Sequence, residues 1–113
     1  MRWFVVAELL DRAVAAQYAS WFRALADPSR VQIVEYLARA GRPMSVGEIV
    51  TAVGLAQSTV SQHLKILADV RFVLVDQVGT ARHYRINNAC ISCFPSAADV
   101  VMARPAPAPI GGC

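Results

Sequence analysis

The segment Met44–Val70, MSVGEIVTAVGLAQSTVSQHLKILADV, has the pattern of two short amphipathic helices joined by a glycine turn. Ser45 is followed three residues later by Glu48, which is the spacing of a capping box and predicts that the first helix begins there. Gly54 can adopt the left-handed backbone conformation that a sharp turn between helices requires. Helical spacing predicts that the apolar residues form one buried stripe on each helix: Val46, Ile49, Val50 and Val53, then Val60, Leu64 and Leu67. The segment therefore predicts a helix-turn-helix.

The outer side of the second helix carries short polar side chains, and we expect no acidic residue there. Such side chains can hydrogen-bond to base edges in the major groove and to phosphate oxygens, and Lys65 can contact the DNA backbone. The residues of this helix that we expect to contact DNA are Gln57, Ser58, Thr59, Ser61, Gln62, His63 and Lys65. On this segment alone, a polar helix hairpin with a solvated face is the alternative.

After Asp69 the pattern changes from helical to extended. Strand-forming residues at 72–75 and 82–86 flank a turn at Gly79, and Tyr84 and Ile86 alternate with basic residues in the second run. This pattern predicts a basic β-wing directly after the helix-turn-helix. Its candidate DNA contacts, to a minor groove or to phosphates, are Arg82 and His83, with Arg85 as a further basic residue. An ordinary hairpin with solvated arginines is the alternative.

Three sequence blocks, in this order, resemble the ArsR/SmtB family of metal-responsive repressors. The blocks are LADPSRVQIVEYL at Leu25–Leu37, the SVGEIV…STVSQHLKIL segment, and VGTARHYRI at Val78–Ile86, and the resemblance covers Trp21–Ile86. It implies a mainly α fold with a small β-hairpin, namely a winged helix-turn-helix. It also implies a repressor of detoxification and efflux genes that leaves its DNA when a toxic metal or metalloid binds.

The resemblance further implies a homodimer that pairs through its N- and C-terminal helices. A two-fold axis places two recognition helices roughly 34–36 Å apart on successive major grooves. The expected partner is therefore double-stranded operator DNA containing an imperfect inverted repeat.

The composition agrees with one small DNA-binding domain. We predict that residues 1–103 form a winged helix-turn-helix DNA-binding and dimerisation domain, and that residues 104–113 form a flexible Pro/Gly-rich tail. The net charge of +3 suits a polyanionic partner, and the 56% hydrophobic content suggests apolar surface covered in an oligomer. The apolar run Trp3–Leu10 is too short and too acidic for a membrane span or a signal peptide. We therefore expect a cytoplasmic protein with no membrane partner and with reduced cysteines.

The N-terminal third predicts two further helices. The first should extend from Trp3 to about Ala15 and merge into Tyr18–Leu25, with its aromatic residues in the core or the dimer interface. The next should begin at Asp27, before Pro28 in its first turn, and end near residue 40. Its expected buried residues are Val31, Ile33, Val34 and Leu37.

All three cysteines follow the wing, at Cys90, Cys93 and Cys113. Cys90 and Cys93 form a CxxC motif, and residues three apart on a helix have Cβ atoms about 5–6 Å apart. Thiolates select soft ions, and Cys113 can complete a three-sulfur site. We predict As(III) or Sb(III) as the inducer, with Cd or Pb also acceptable. Zinc is less favoured because only Asp99 lies nearby as a further ligand, and no organic cofactor is expected.

This cysteine pattern departs from that of the resembled family. Arsenic sensors of the family often carry a Cys-x-Cys pair in the first helix of the DNA-binding motif, and residues 46–53 contain no cysteine. A thiol redox regulator, cysteines buried for packing, and a winged-helix protein-interaction module remain alternatives. We do not predict an enzyme, because the sequence has no Gly-rich phosphate loop, no Ser/His/Asp set and no paired acids. Too little chain follows the CxxC for a thiol oxidoreductase fold.

Overall fold

A computed structural model describes residues 9–104, apart from the side chains of residues 90–93, 95 and 96. The protein is mainly helical with one small antiparallel sheet, as the sequence predicted. Its elements, in chain order, are α1 (Arg12–Ala24), α2 (Pro28–Ala40), β1 (Met44–Ser45), α3 (Val46–Val53), α4 (Gln57–Asp69), β2 (Val73–Val78), β3 (Ala81–Ile86) and α5 (Asn88–Val101).

The helix boundaries follow the local capping residues. The Asp27 side chain accepts hydrogen bonds from the backbone N–H groups of Ser29 and Arg30 and so begins α2. Ser45 and Glu48 form both hydrogen bonds of the capping box at the start of α3. These predictions are confirmed, as is the left-handed turn after α3.

The predicted helix from Trp3 to about Ala15 is not helical at residues 9–11, and α1 begins at Arg12. Asp11 accepts hydrogen bonds from the N–H groups of Ala13 and Val14. A side chain that takes up the first N–H groups of a helix fixes its start, whatever apolar pattern precedes it. Residues 3–8 of the expected helix lie outside the described residues. So do Cys113 and the predicted tail beyond Arg104.

The core is formed where α2, α3 and α4 pack against the sheet. Ile33, Leu37 and Ile49 are fully buried, and burying such a side chain contributes about 1.5–3 kcal/mol. Val60, Leu64 and Leu67 are also fully buried, as predicted. Val31, by contrast, is 47% exposed, so its predicted burial is wrong. It lies two residues from Ile33 and therefore about 200° around the helix from it.

The sheet has one strand that the sequence did not predict. The strand order is β1-β3-β2, with both pairs antiparallel, and β1 contains only two residues. Met44 pairs with Tyr84, and both side chains are buried. The turn between β2 and β3 has Gly79 at φ +62°, a conformation that favours glycine. Through this sheet, Met44, which precedes the capping box, is paired directly with the wing strand β3.

Helix α5 contacts the rest of the molecule through Phe94 and Ala97. The Phe94 ring lies edge-on to Phe22 of α1 and to Phe72 at the base of the wing, with ring centroids 5.2 and 5.3 Å away. Aromatic pairs at this distance and angle are favourable beyond the area that they bury. Ala97, one turn further, is buried. Helix α5 is therefore anchored both to α1 and to the chain between α4 and β2.

Candidate nucleic-acid interface

An open groove of about 560 Å³ lies between the exposed side of α4 and the wing. Five residues predicted to contact DNA line it together: Ser58, Ser61, Gln62, Lys65 and Arg82. The other lining residues are Val46, Ala68, Asp69, Val75 and Tyr84. Two sequence segments that were assigned to DNA separately therefore form the two walls of one surface.

The helical period of α4 determines which of its side chains point into the groove. Val60, Leu64 and Leu67 point into the core, and each helical residue advances about 100° around the axis. Ser58 and Gln62 therefore project from the opposite side, into the groove. Their hydroxyl and amide groups can both donate and accept hydrogen bonds, which suits the mixed pattern of base edges in a major groove.

One arginine of the wing lines the groove, and another forms a hydrogen bond within the hairpin. Arg82 is exposed and shares its strand face with Tyr84, two residues along β3. Arg85 lies on the opposite face, where its Nε donates a 2.9 Å hydrogen bond to Asp76 across the strand pair. Arg82 is therefore the wing cation directed toward α4, whereas Arg85 stabilises the hairpin.

Four of the predicted contact residues do not line the groove. Gln57 is exposed at the start of α4 and Thr59 is half-buried. His63 does not lie on the outer side as expected, because its side chain is only 14% exposed and its Nδ1 lies 3.3 Å from Arg30 Nη1. His63 is three residues after the buried Val60, so it projects beside the core toward α2. The Nδ1 atom of His83 is buried and has no hydrogen-bond partner among the described residues.

The outer side of α4 also carries an acidic residue, contrary to expectation. The helix extends to Asp69, whose carboxylate lies 3.5 Å from Lys65 Nζ, and both residues line the groove. Residues four apart on a helix are neighbours, so the pair follows directly from the length of α4. Asp69 neutralises part of the positive charge that Lys65 brings to this surface.

Comparison with known proteins identifies the family. Residues 27–74 match the model described as "Bacterial regulatory protein, arsR family". The regulator NmtR of Mycobacterium tuberculosis is 40% identical over 68% of this chain and 62% of its own length. The SmtB homologue of Synechocystis, a transcriptional repressor, is 33% identical over 81% of this chain and 69% of its own length. This chain belongs to the ArsR family.

The solved structures agree with this assignment. The homodimeric winged helix-turn-helix DNA-binding domain of Mb0332 from Mycobacterium bovis superposes with a TM-score of 0.67 and 32% identity. The superposition covers 86% of this chain and 90% of that one. The winged helix-turn-helix fold predicted from the sequence is thereby confirmed, and the family is one of transcriptional regulators rather than enzymes. The match to NmtR covers less than two thirds of that protein's length.

Two carboxylates at helix starts of this ArsR-family chain have lowered pKa values. The pKa of Asp27 is lowered mainly by the backbone hydrogen bond from Arg30. The pKa of Glu48 is lowered mainly by the hydrogen bond from the Arg42 side chain, and further by the backbone N–H of Ser45. Hydrogen bonds to the charged form favour that form, so both caps remain ionised and intact at neutral pH.

The CxxC cysteines of this family member lie in a helix, one turn apart. Cys90 and Cys93 are both within α5, close to its N-terminus. Two thiols at this spacing suit a soft ion, whereas the third predicted ligand, Cys113, lies outside the described residues. Among the side chains that the structure describes, which do not include those of Cys90 and Cys93, no group of three or more His, Cys, Asp or Glu is placed to hold a metal ion. None of the helices described here is long and apolar enough to cross a membrane.

Proposed function

We propose that this chain is a transcriptional repressor that binds operator DNA with α4 in the major groove and the wing beside it. The observation that carries the proposal is the shared groove, in which the polar side of α4 faces Arg82. Ser58, Ser61 and Gln62 are suited to hydrogen bonds with base edges. Lys65 and Arg82 are suited to phosphate oxygens. Family membership supports the role.

We propose further that the repressor is a homodimer joined through α1 and α5. The exposed apolar side chains at these ends of the chain support this arrangement: Leu9, Val14, Phe22, Val100, Val101 and Met102. Leu9 is 85% and Met102 is 71% exposed, which is unfavourable for apolar residues unless a partner covers them. The homodimeric state of the Mb0332 domain supports a homodimer here as well. A symmetric dimer requires a DNA site with inverted repeats.

The proposed inducer is a thiophilic metalloid, As(III) or Sb(III), bound by Cys90 and Cys93 with Cys113 as the third ligand. A trivalent metalloid accepts three thiolates, and Cd or Pb could accept the same set. The helical placement of Cys90 and Cys93 supports the pair. The zinc interpretation is weaker because it needs a fourth ligand.

Helix α5 is connected to the DNA-binding elements at its first residues. Asn87 caps α5, and its side-chain amide donates a 2.8 Å hydrogen bond to the carbonyl of Arg71, just after α4. Binding that rearranges α5 near Cys90 would therefore act on the end of the recognition helix. A coupling of about 1–3 kcal/mol would weaken operator affinity about 5- to 150-fold.

The inducer proposal is tested by fluorescence anisotropy of the full chain on DNA from its own promoter, titrated with arsenite under reducing conditions. We expect release of the wild type and retention of the Cys90→Ser/Cys93→Ser double variant. The Cys113→Ser variant should require more arsenite, because two thiols hold the metalloid more weakly than three. Arsenite release of the double variant would contradict the proposed site. If cadmium, lead or an oxidant releases the DNA and arsenite does not, the inducer is that ion or oxidant and not a metalloid.

A further inference from the structure

The side chain of His63 connects the recognition helix to the start of α2. Its Nδ1 lies 3.3 Å from Arg30 Nη1, and its Nε2 lies 4.0 Å from the Asp27 carboxylate. Because arginine can only donate, Nδ1 must be the acceptor and the ring proton belongs on Nε2, on the side of Asp27. The environment therefore selects one tautomer and one ring orientation.

Arg30 also connects His63 to α1. Its Nε donates a 2.6 Å hydrogen bond to the carbonyl oxygen of Ala24, the last residue of α1. The guanidinium group is planar and its donors have a fixed relative geometry. The Arg30 side chain, at the start of α2, therefore fixes the position of the middle of α4 relative to the end of α1. Asp27, the cap of the same helix, completes the cluster.

The buried side chains of α4 fix which side of the helix faces the core, and their contacts are apolar. These residues are aliphatic, and dispersion contacts have little directional preference. Ala56 precedes the helix and offers no side-chain cap, in contrast to Ser45 before α3. The Arg30–His63 hydrogen bond is directional. His63 is adjacent in sequence to Gln62, which lines the groove. Base contacts require alignment within about 0.5 Å and 10–20°, so this bond is well placed to control them.

We propose that Arg30 and His63 are positioning residues, which hold α4 in its DNA-binding orientation relative to α1 without contacting DNA. The inference rests on the proposed DNA-binding role. It assigns Arg30 and His63 to positioning α4 rather than to contacting DNA. Arg30 is half-buried, and its Nε and Nη1 are already engaged. Through Ala24, the same pair connects the recognition helix to α1, the helix that we assign to the dimer interface.

The test uses three variants of the full chain, His63→Ala, His63→Asn and His63→Gln. An asparagine Oδ1 stands as many bonds from Cβ as the histidine Nδ1, so it can accept from Arg30. The glutamine acceptor is one bond further away. Anisotropy is measured on a labelled duplex from the protein's own promoter and on a shuffled duplex, over a range of salt concentrations. Thermal unfolding is measured in parallel.

We expect His63→Ala and His63→Gln to lose on the order of ten-fold in promoter affinity, the scale of one hydrogen bond to a charged group. His63→Asn should stay within about three-fold of the wild type. The slope of log affinity against log salt should be unchanged in all three, whereas Lys65→Ala should reduce its magnitude by about 0.9. A reduced slope in a His63 variant would indicate a phosphate contact and overturn the proposal. Equal losses for His63→Asn and His63→Ala, or no loss in His63→Ala, would also overturn it.

A readout that does not depend on DNA separates this inference from the proposed function. Long-range proton–nitrogen NMR spectra of the His63 ring should show the Nε2–H tautomer in the wild type and a changed ring signal in Arg30→Met. The opposite tautomer, or no response to Arg30→Met, would refute the pairing even if the promoter is bound. If the wild type binds no DNA while these spectra are as expected, the proposed function fails and the Arg30–His63 bond stands.

Discussion

The side chain of Asn87 donates a 2.8 Å hydrogen bond to the backbone carbonyl of Arg71. Arg71 lies just after the recognition helix and has a positive φ of 65°, which is uncommon for a residue with a Cβ atom. Asn87 also accepts a hydrogen bond from the N–H of Ala89, and its own N–H donates to the carbonyl of Phe72. Through its side chain and its backbone N–H, the buried Asn87 therefore joins the end of α4, the base of the wing and the start of α5.

Replacing Asn87 should destabilise the fold. Asn87→Ala removes both the cap of α5 and the bond to Arg71, and we expect a loss of about 1–3 kcal/mol in the free energy of unfolding. Asn87→Ser retains a capping oxygen but is too short to reach Arg71, so it should lose less. Urea denaturation followed by circular dichroism measures both values. Equal stability of Asn87→Ala and the wild type would show that this junction is not structurally important.

The two wing arginines provide a matched pair of variants. Arg82→Ala should reduce the magnitude of the salt slope of DNA binding by about 0.9, because one phosphate contact is lost. Arg85→Ala should leave the slope unchanged, because Arg85 is bonded to Asp76 on the other face of the strand. Salt-dependent anisotropy on the same duplex distinguishes the two. A larger slope change for Arg85→Ala would mean that the wing presents its opposite face to DNA.

Removing the acidic residue of the groove should strengthen DNA binding. Asp69 lies 3.5 Å from Lys65, and Asp69→Asn would free that ammonium group to contact a phosphate. An exposed ion pair is typically worth about 0.2–1 kcal/mol, so we expect roughly a 1.5- to 5-fold gain in affinity. The gain should be similar on promoter and shuffled duplexes, since phosphates carry no sequence information. Weaker binding by Asp69→Asn would instead assign Asp69 a role in base recognition.

Acid should destabilise the protein through its two helix caps. The pKa values of Asp27 and Glu48 in the folded chain are below their ordinary values of 3.8 and 4.5. Because the unfolded chain binds these protons more readily, the stabilisation is complete above the ordinary values. It is lost as the pH falls through the lowered pKa values of the folded state. Urea denaturation at pH values from 7 to 3 should show this decline, and Glu48→Gln should reduce its size. An identical pH profile for Glu48→Gln would contradict the role of Glu48.

Features encoded by a few adjacent residues could be predicted from the sequence. The capping box at Ser45, the cap at Asp27 and the glycine turn at Gly54 each depend on local backbone geometry alone. The side of α4 that faces the groove could be predicted for a similar reason. It lies opposite the three buried residues of the helix. Ser58 and Gln62 follow from that helical period.

Features that depend on a neighbouring element could not be predicted. The two-residue strand β1 exists only because Met44 pairs with Tyr84, forty residues away in sequence. His63 is polar and was assigned to the outer side, yet Arg30 from α2 supplies its partner. For β1 and His63 the tertiary partner, not the local period, decides the environment. Val31 is different, because its position about 200° around the helix from the buried Ile33 already places it on the exposed side.

The most direct test of the central claim is anisotropy of the full chain on a labelled duplex taken from immediately upstream of its own gene. A shuffled duplex of the same length and composition is the control, at physiological salt. If the groove between α4 and the wing binds an operator, the promoter duplex should be bound at least about 10³-fold more tightly than the shuffled one. Gln62→Ala should reduce this preference, whereas Lys65→Ala should weaken binding to both duplexes equally. Equal affinity of the wild type for both duplexes, or binding to neither, would contradict the account.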